Sequence, residues 1–115
     1  MTNPERALEI DGRKIPLDKE GFLRNLDDWS PEIAEAIAAQ EGIELTPDHW
    51  DVIRLLQAFY REFELSPAMR PLVKYVGQHL GADKGRSIFL MQLFPPSPAK
   101  IGSKIAGLPK PTNCL

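Results

Sequence analysis

The chain predicts an α+β fold that is mainly helical: a small N-terminal β-hairpin packed on a helical bundle with a helix-turn-helix-like pair, followed by an extended C-terminal arm. Three observations predict it. Strand-like alternation surrounds one turn signal, Asp11-Gly12. Four Ser/Thr-Pro pairs then punctuate the chain as helix starts. Finally, Pro109 and Pro111 forbid a helix at the end. At 115 residues the chain is long enough for one domain with a modest core.

The hairpin is expected over residues 7–17. Leu8 and Ile10 alternate with polar neighbours, as do Ile15 and Leu17, and Asp11-Gly12 supplies residues that tolerate the positive φ of a tight turn. Pro16 has no amide to donate, so its strand belongs at an edge. In Ser30-Pro31, Thr46-Pro47, Ser66-Pro67 and Ser97-Pro98 the hydroxyl can accept from an unpaired first-turn amide, while the proline fits the first helical turn. Helices follow at about 31–41, 47–63, 67–80 and 98–106, with another at about 85–94 after Lys84-Gly85.

Val52, Leu55, Leu56, Phe59 and Phe63 make one apolar face that Trp50, Ile53 and Tyr60 widen, so helix 47–63 is expected at the centre of the core. Trp29 and Trp50 read as core anchors. Pro71 is expected to weaken the start of helix 67–80. Ser87 to Phe94 is apolar nearly all round, which predicts deep burial, and Pro95-Pro96 stops it. Gly102 makes 98–106 a weak helix, capped by Gly107. Leu108-Pro109-Lys110-Pro111 then favours an extended, polyproline-like arm. The expected division is a globular body over 1–96, then a short helix and mobile arm over 97–115 carrying Cys114.

Composition excludes several classes. Hydrophobic content of 43% and charged content of 26% suit a soluble globular protein. There is no run of ~20 apolar residues to span a bilayer, and Met1 to Arg6 lacks the apolar stretch of a secretory signal. A single cysteine cannot form an intrachain disulfide, which points to a reducing, cytoplasmic setting. The net charge of -2 hides an asymmetry. Residues 1–83 hold nine basic and all sixteen acidic residues, a net of -7, whereas 84–115 hold Lys84, Arg86, Lys100, Lys104 and Lys110 with no acid, a net of +5. A solvated basic tail is the commoner meaning of such a segment; the functional one is docking into an acidic cleft or against RNA phosphate.

His49 and His79 lie thirty residues apart and Cys114 has no cysteine partner, so no metal site is expected; nor does any segment match a phosphate loop, and no cofactor is expected. His49 falls in the first turn of its helix, as a surface or capping residue. The stretch from Thr46 to Gly81 resembles a helix-turn-helix. Its second helix would offer DNA only Ala68, Met69, Arg70, Lys74 and Gln78, while Asp48, Asp51 and Glu62 on the first would repel phosphate. A core helix pair outweighs a DNA reader.

Cys114 is next to last in the chain, where it has no core to fill as a small hydrophobe. What remains is its chemistry: a reachable sulfur on a tether. Lys104 and Lys110 nearby favour the thiolate, and the terminal carboxylate opposes it.

The ending from Lys104 to Leu115 resembles the C-terminal arm of the DsrC/TusE family. So do Asp18-Lys19-Glu20-Gly21-Phe22-Leu23, Leu45-Thr46-Pro47-Asp48-His49-Trp50, Ser66-Pro67-Ala68-Met69-Arg70 and Leu93-Phe94-Pro95 with the Ser-Pro-Ala-Lys that follows. The resemblance spans essentially the whole chain. The family's two-cysteine branch has another cysteine eleven residues before the next-to-last one; here that position is Ser103. The chain therefore resembles the single-cysteine, TusE-type branch. That implies a sulfurtransferase working as a protein persulfide carrier: Cys114 takes sulfur from a TusBCD-like donor complex and passes it to an MnmA-like thiouridylase for 2-thiolation of the tRNA wobble uridine. Lys104, Leu108, Pro109, Lys110 and Pro111 would form the partner-docking arm. Two other readings stand beside it: a DsrC-like partner of dissimilatory sulfite reductase whose second cysteine is replaced by Ser103, and a helix-turn-helix DNA-binding regulator.

Overall fold

The structure is a computed structural model that describes residues 6–112. Its order is β1 (Ala7–Ile10), β2 (Arg13–Pro16), a 3-10 turn (Leu26–Asp28), α1 (Pro31–Gln40), α2 (Pro47–Phe63), α3 (Met69–Leu80), α4 (Ser87–Leu93) and α5 (Pro98–Ile105). The expected mainly helical fold with an N-terminal hairpin is the one observed. β1 and β2 pair antiparallel with Leu8 opposite Ile15. Asp11 and Gly12 take φ of 49° and 79°, as the two-residue hairpin turn requires. Leu8, Ile15 and Leu17 are buried, and the hairpin packs on α1.

The helix starts follow the expected chemistry in part. Ser30 Oγ accepts from the Ile33 amide at 3.2 Å. Thr46 Oγ1 accepts from the His49 amide, and His49 Nδ1 in turn accepts from the Thr46 amide at 3.0 Å, closing a reciprocal cap. His49 is a capping residue as expected, but it is not on the surface: it is 6% exposed. Its Nε2–H donates to the Leu93 carbonyl at 2.8 Å, tying the start of α2 to the end of α4.

Helix α3 departs from expectation. It begins at Met69, two residues late, without a side-chain cap, because the Ser66 hydroxyl is engaged elsewhere. Pro71 then sits in the first turn, where an amide has no intrahelical partner anyway, so it does not weaken the helix. Helix α4 also differs: Leu90 and Leu93 are buried, but Ile88 and Met91 are 62% and 42% exposed.

The largest departure is α5. It touches each of the other four helices, and Ile101 to Ile105 are all buried. It, rather than α2, is the hub, and it belongs to the body rather than to an appendage beginning at residue 97. Gly102 lowers intrinsic helix propensity by about 1 kcal/mol, yet it is what admits α2. A Cβ there would lie 3.0 Å from Leu56 Cδ1.

The charge asymmetry also resolves structurally. Lys84 pairs with Asp48 at 3.3 Å, Lys104 with Glu41 at 2.9 Å, and Lys110 with Glu20 at 2.9 Å; Lys100 lies 3.8 Å from Glu20. The basic rear of the chain is drawn onto carboxylates of its acidic front. Among the described residues no helix is long and apolar enough to cross a membrane.

Candidate functional site

Cys114 lies outside the described residues; what the structure gives is the root from which its arm springs. Helix α5 ends at Ile105, and Gly107 follows at φ 78°. The Gly107 amide donates to the Lys104 carbonyl at 3.2 Å and the Leu108 amide to the Ser103 carbonyl at 2.9 Å. This doubly bonded helix end requires a left-handed residue, and it turns Leu108 inward to 6% exposure. Gly107 is needed for a second reason. A Cβ on it would fall 2.3 Å from Trp29 Cδ1 and 2.6 Å from Cγ.

Three side chains from three separate segments hold the carbonyls of this root. Trp29 Nε1 donates to the Ile105 oxygen at 2.9 Å, Gln57 Nε2 to the Ala106 oxygen at 3.0 Å, and Ser66 Oγ to the Pro109 oxygen at 2.5 Å. The last carbonyls of a helix have no intrahelical partners, so these donors replace water. Trp29 is set by the 3-10 turn before it, whose Asn25 side chain accepts from the Asp27 amide. Ser66 is 5% exposed in the α2–α3 connection. Beside the root runs an open groove of about 400 Å³, with Trp29, Tyr60, Arg61 and Leu108 in its lining.

The arm residues singled out by sequence separate into two kinds. Lys104 is not a surface docking charge. It is 6% exposed, hydrogen-bonded to Glu41 and 5.4 Å from the centre of the Phe22 ring. Its stem and charge belong to the core of the root. Leu108 and Pro111 are buried, Pro109 is half-buried and Lys110 is exposed. Lys110 Nζ reaches Glu20 Oε1 at 2.9 Å. That hydrogen bond holds the Glu20 carboxyl below the usual carboxylate range, against desolvation and with help from the Lys100 charge.

Gln57, Ser66 and Glu20 were missed as arm contacts. Ser66-Pro67 carried a signal, but it read as a helix cap. The helix-turn-helix reading loses ground, because Ala68 and Met69 are half-buried and the α2–α3 connection seats the arm.

Ser103 is fully buried, and its Oγ has no hydrogen-bond partner among the described residues. A desolvated, unpaired hydroxyl is destabilising, so Ser103→Ala is expected to raise unfolding free energy by about 1 kcal/mol. Urea denaturation checks this; a loss of stability would mean that the hydroxyl has a partner.

A family model described as "DsrC like protein" matches residues 9–115. Sulfurtransferase TusE of Yersinia pestis is 53% identical over 108 residues, covering 94% of this chain and 99% of that protein. Sulfurtransferase TusE of Salmonella typhimurium is 50% identical over 108 residues, with 94% and 99% covered. Among solved structures, the NMR structure of Allochromatium vinosum DsrC superposes with a TM-score of 0.87 at 46% identity, covering 97% of this chain and all of that one. The oxidized gamma-subunit of dissimilatory sulfite reductase (DsrC) from Archaeoglobus fulgidus gives 0.82 at 38% identity, covering 96% and 100%.

Proposed function

This chain belongs to the DsrC-like family, and on that premise we propose that it is a sulfur carrier whose Cys114 is loaded with persulfide sulfur by one protein and unloaded by another. The observation that carries the reading is the pairing of one thiol in the whole chain with an arm whose root is fixed to the body at three points, Ile105, Ala106 and Pro109.

The transfer step is an exchange. The Cys114 thiolate attacks the outer sulfur of a donor persulfide. A new S–S bond forms at Cys114, the donor's S–S bond breaks, and the donor cysteine leaves as a thiolate. One zero-valent sulfur moves and no external oxidant or reductant is consumed. Unloading is the same step with the roles reversed, onto a cysteine of the acceptor. Covalent carriage suits a labile sulfur that has to visit two active sites. An arm pre-set by Leu108, Pro109 and Pro111 limits the entropy lost on insertion.

The specific reading is a relay in the cytoplasm in which a TusBCD-like complex donates and an MnmA-like tRNA thiouridylase accepts, ending in the 2-thio group of the wobble uridine. The TusE names of relatives at about 50% identity support it, as does Ser103, which removes the second sulfur that the two-cysteine branch carries. The test is mass spectrometry after incubation with a persulfide donor. The C-terminal peptide is expected to gain one sulfur, about 32 Da. A protein that never gains it is not a carrier.

A further inference from the structure

The ion pairs that join the two halves of this chain are of two kinds. Lys104 and Glu41 meet inside the protein, with side chains 7% and 23% exposed. Lys110 and Glu20 meet at the surface, 44% and 41% exposed. The first pair is fixed in the root. The second is exchangeable, because a solvated pair holds weakly against water and salt.

Glu20 is presented to the arm by a built turn. Asp18 Oδ1 accepts from the amides of Glu20 and Phe22, both at 2.9 Å, and the Phe22 ring is buried at 2% exposure. Glu20 Oε1 takes Lys110, while Oε2 is shielded from solvent, stands 3.8 Å from Lys100 and has no hydrogen-bond partner among the described residues. The carboxylate thus serves two lysines and fully satisfies one. An open groove of about 420 Å³, lined by Asp18, Lys19, Glu20, Arg24 and Lys110, runs past the pair, so a group from outside can reach Lys110.

We infer that Glu20 is an internal stand-in for a carboxylate on the sulfur-exchange partner, holding Lys110 in the unbound carrier and yielding it to the partner at docking. The inference rests on the sulfur-carrier reading and adds the chemistry of the partner's surface: Asp or Glu side chains at the mouth of its sulfur-exchange site. Exchanging one carboxylate for another spares Lys110 the penalty of being desolvated without a counter-charge. Glu20 and Lys110 are positioning residues; neither touches the travelling sulfur.

The test compares the wild type, Glu20→Gln, Lys110→Glu and the double reversal Glu20→Lys with Lys110→Glu. Each intact protein is titrated against a purified TusBCD-like donor complex, and sulfur gain at Cys114 is followed by mass. At low salt Glu20→Gln is expected to bind about threefold to fivefold more tightly than wild type, and the difference should vanish near 0.5 M salt, roughly where screening removes surface pairs. Lys110→Glu should bind more weakly. The double reversal restores an internal pair yet should bind as weakly as Lys110→Glu, since its arm meets an acidic rim with the wrong sign. A purely structural brace predicts the opposite, with the double reversal recovering wild-type binding and Glu20→Gln losing it; that result overturns the inference while leaving the carrier reading intact. A wild type that binds the donor but gains no sulfur sinks the carrier reading and the inference with it.

Discussion

Gly107→Ala is expected to destabilise the protein by about 2–4 kcal/mol, combining the strain of a left-handed non-glycine residue with overpacking of a filled site. Both contributions are visible in the structure. The backbone stands at φ 78°, and the added carbon would meet the Trp29 ring at 2.3 Å. Trp29 cannot move away freely, because its Nε1 is bonded to the Ile105 carbonyl. Relief therefore has to come from the helix end, by breaking the Gly107 and Leu108 amide bonds that close α5. Leu108 would turn outward and the arm would leave the body in another direction. Sulfur uptake should fall by up to about a hundredfold, the order expected when a reacting group is misplaced by an ångström or so. Gly107→Asn separates the two causes: asparagine tolerates the left-handed region but still drives a carbon into Trp29, so it should recover only part of the loss. Urea denaturation together with uptake assays decides the matter. A Gly107→Ala protein of wild-type stability and activity would show that the root is not the device that aims the arm.

Cys114→Ser is expected to abolish sulfur uptake and onward transfer outright, since a hydroxyl is far too weak an acid to supply the attacking anion at neutral pH and forms no persulfide. Stability should stay within about 0.5 kcal/mol of wild type, as for substitutions outside the packed core. Denaturation midpoint and the 32-Da gain, about one sulfur atom, are the two readouts. Residual uptake localised to the C-terminal peptide would contradict the assignment. A large loss of stability would give the residue a packing role instead.

The hairpin, the helix order and most helix starts were legible because their signals are local. Asp11-Gly12 needs only its own backbone freedom, and Ser30 and Thr46 cap amides three residues away. The rank of α5 was not legible. Gly102 looks like a helix breaker until Leu56 is seen lying against it, and that neighbour is 46 positions away in the chain. Ser66 fails for the same reason in reverse. Its local pattern is a cap, but its hydroxyl is claimed by a carbonyl 43 residues on. Lys104 and Lys110 look alike in the sequence, and only folding separates a buried lysine paired with Glu41 from an exposed one paired with Glu20.

The graded fastening of the tail also works as a depth gauge. With Pro111 seated, Cys114 lies three residue steps beyond it, a span of at most about 10 Å; once contacts at 109–111 let go and only Leu108 stays seated, the six steps from Leu108 span about 20 Å. A pocket whose reactive atom lies shallower than the first limit can be served by the carrier as it stands. One lying between the two limits is served only after its own surface has prised the tail loose, and one deeper than the second is never served. Selectivity among cysteine-bearing sites can therefore be written in ångströms of well depth, without a single contact to the atom being delivered.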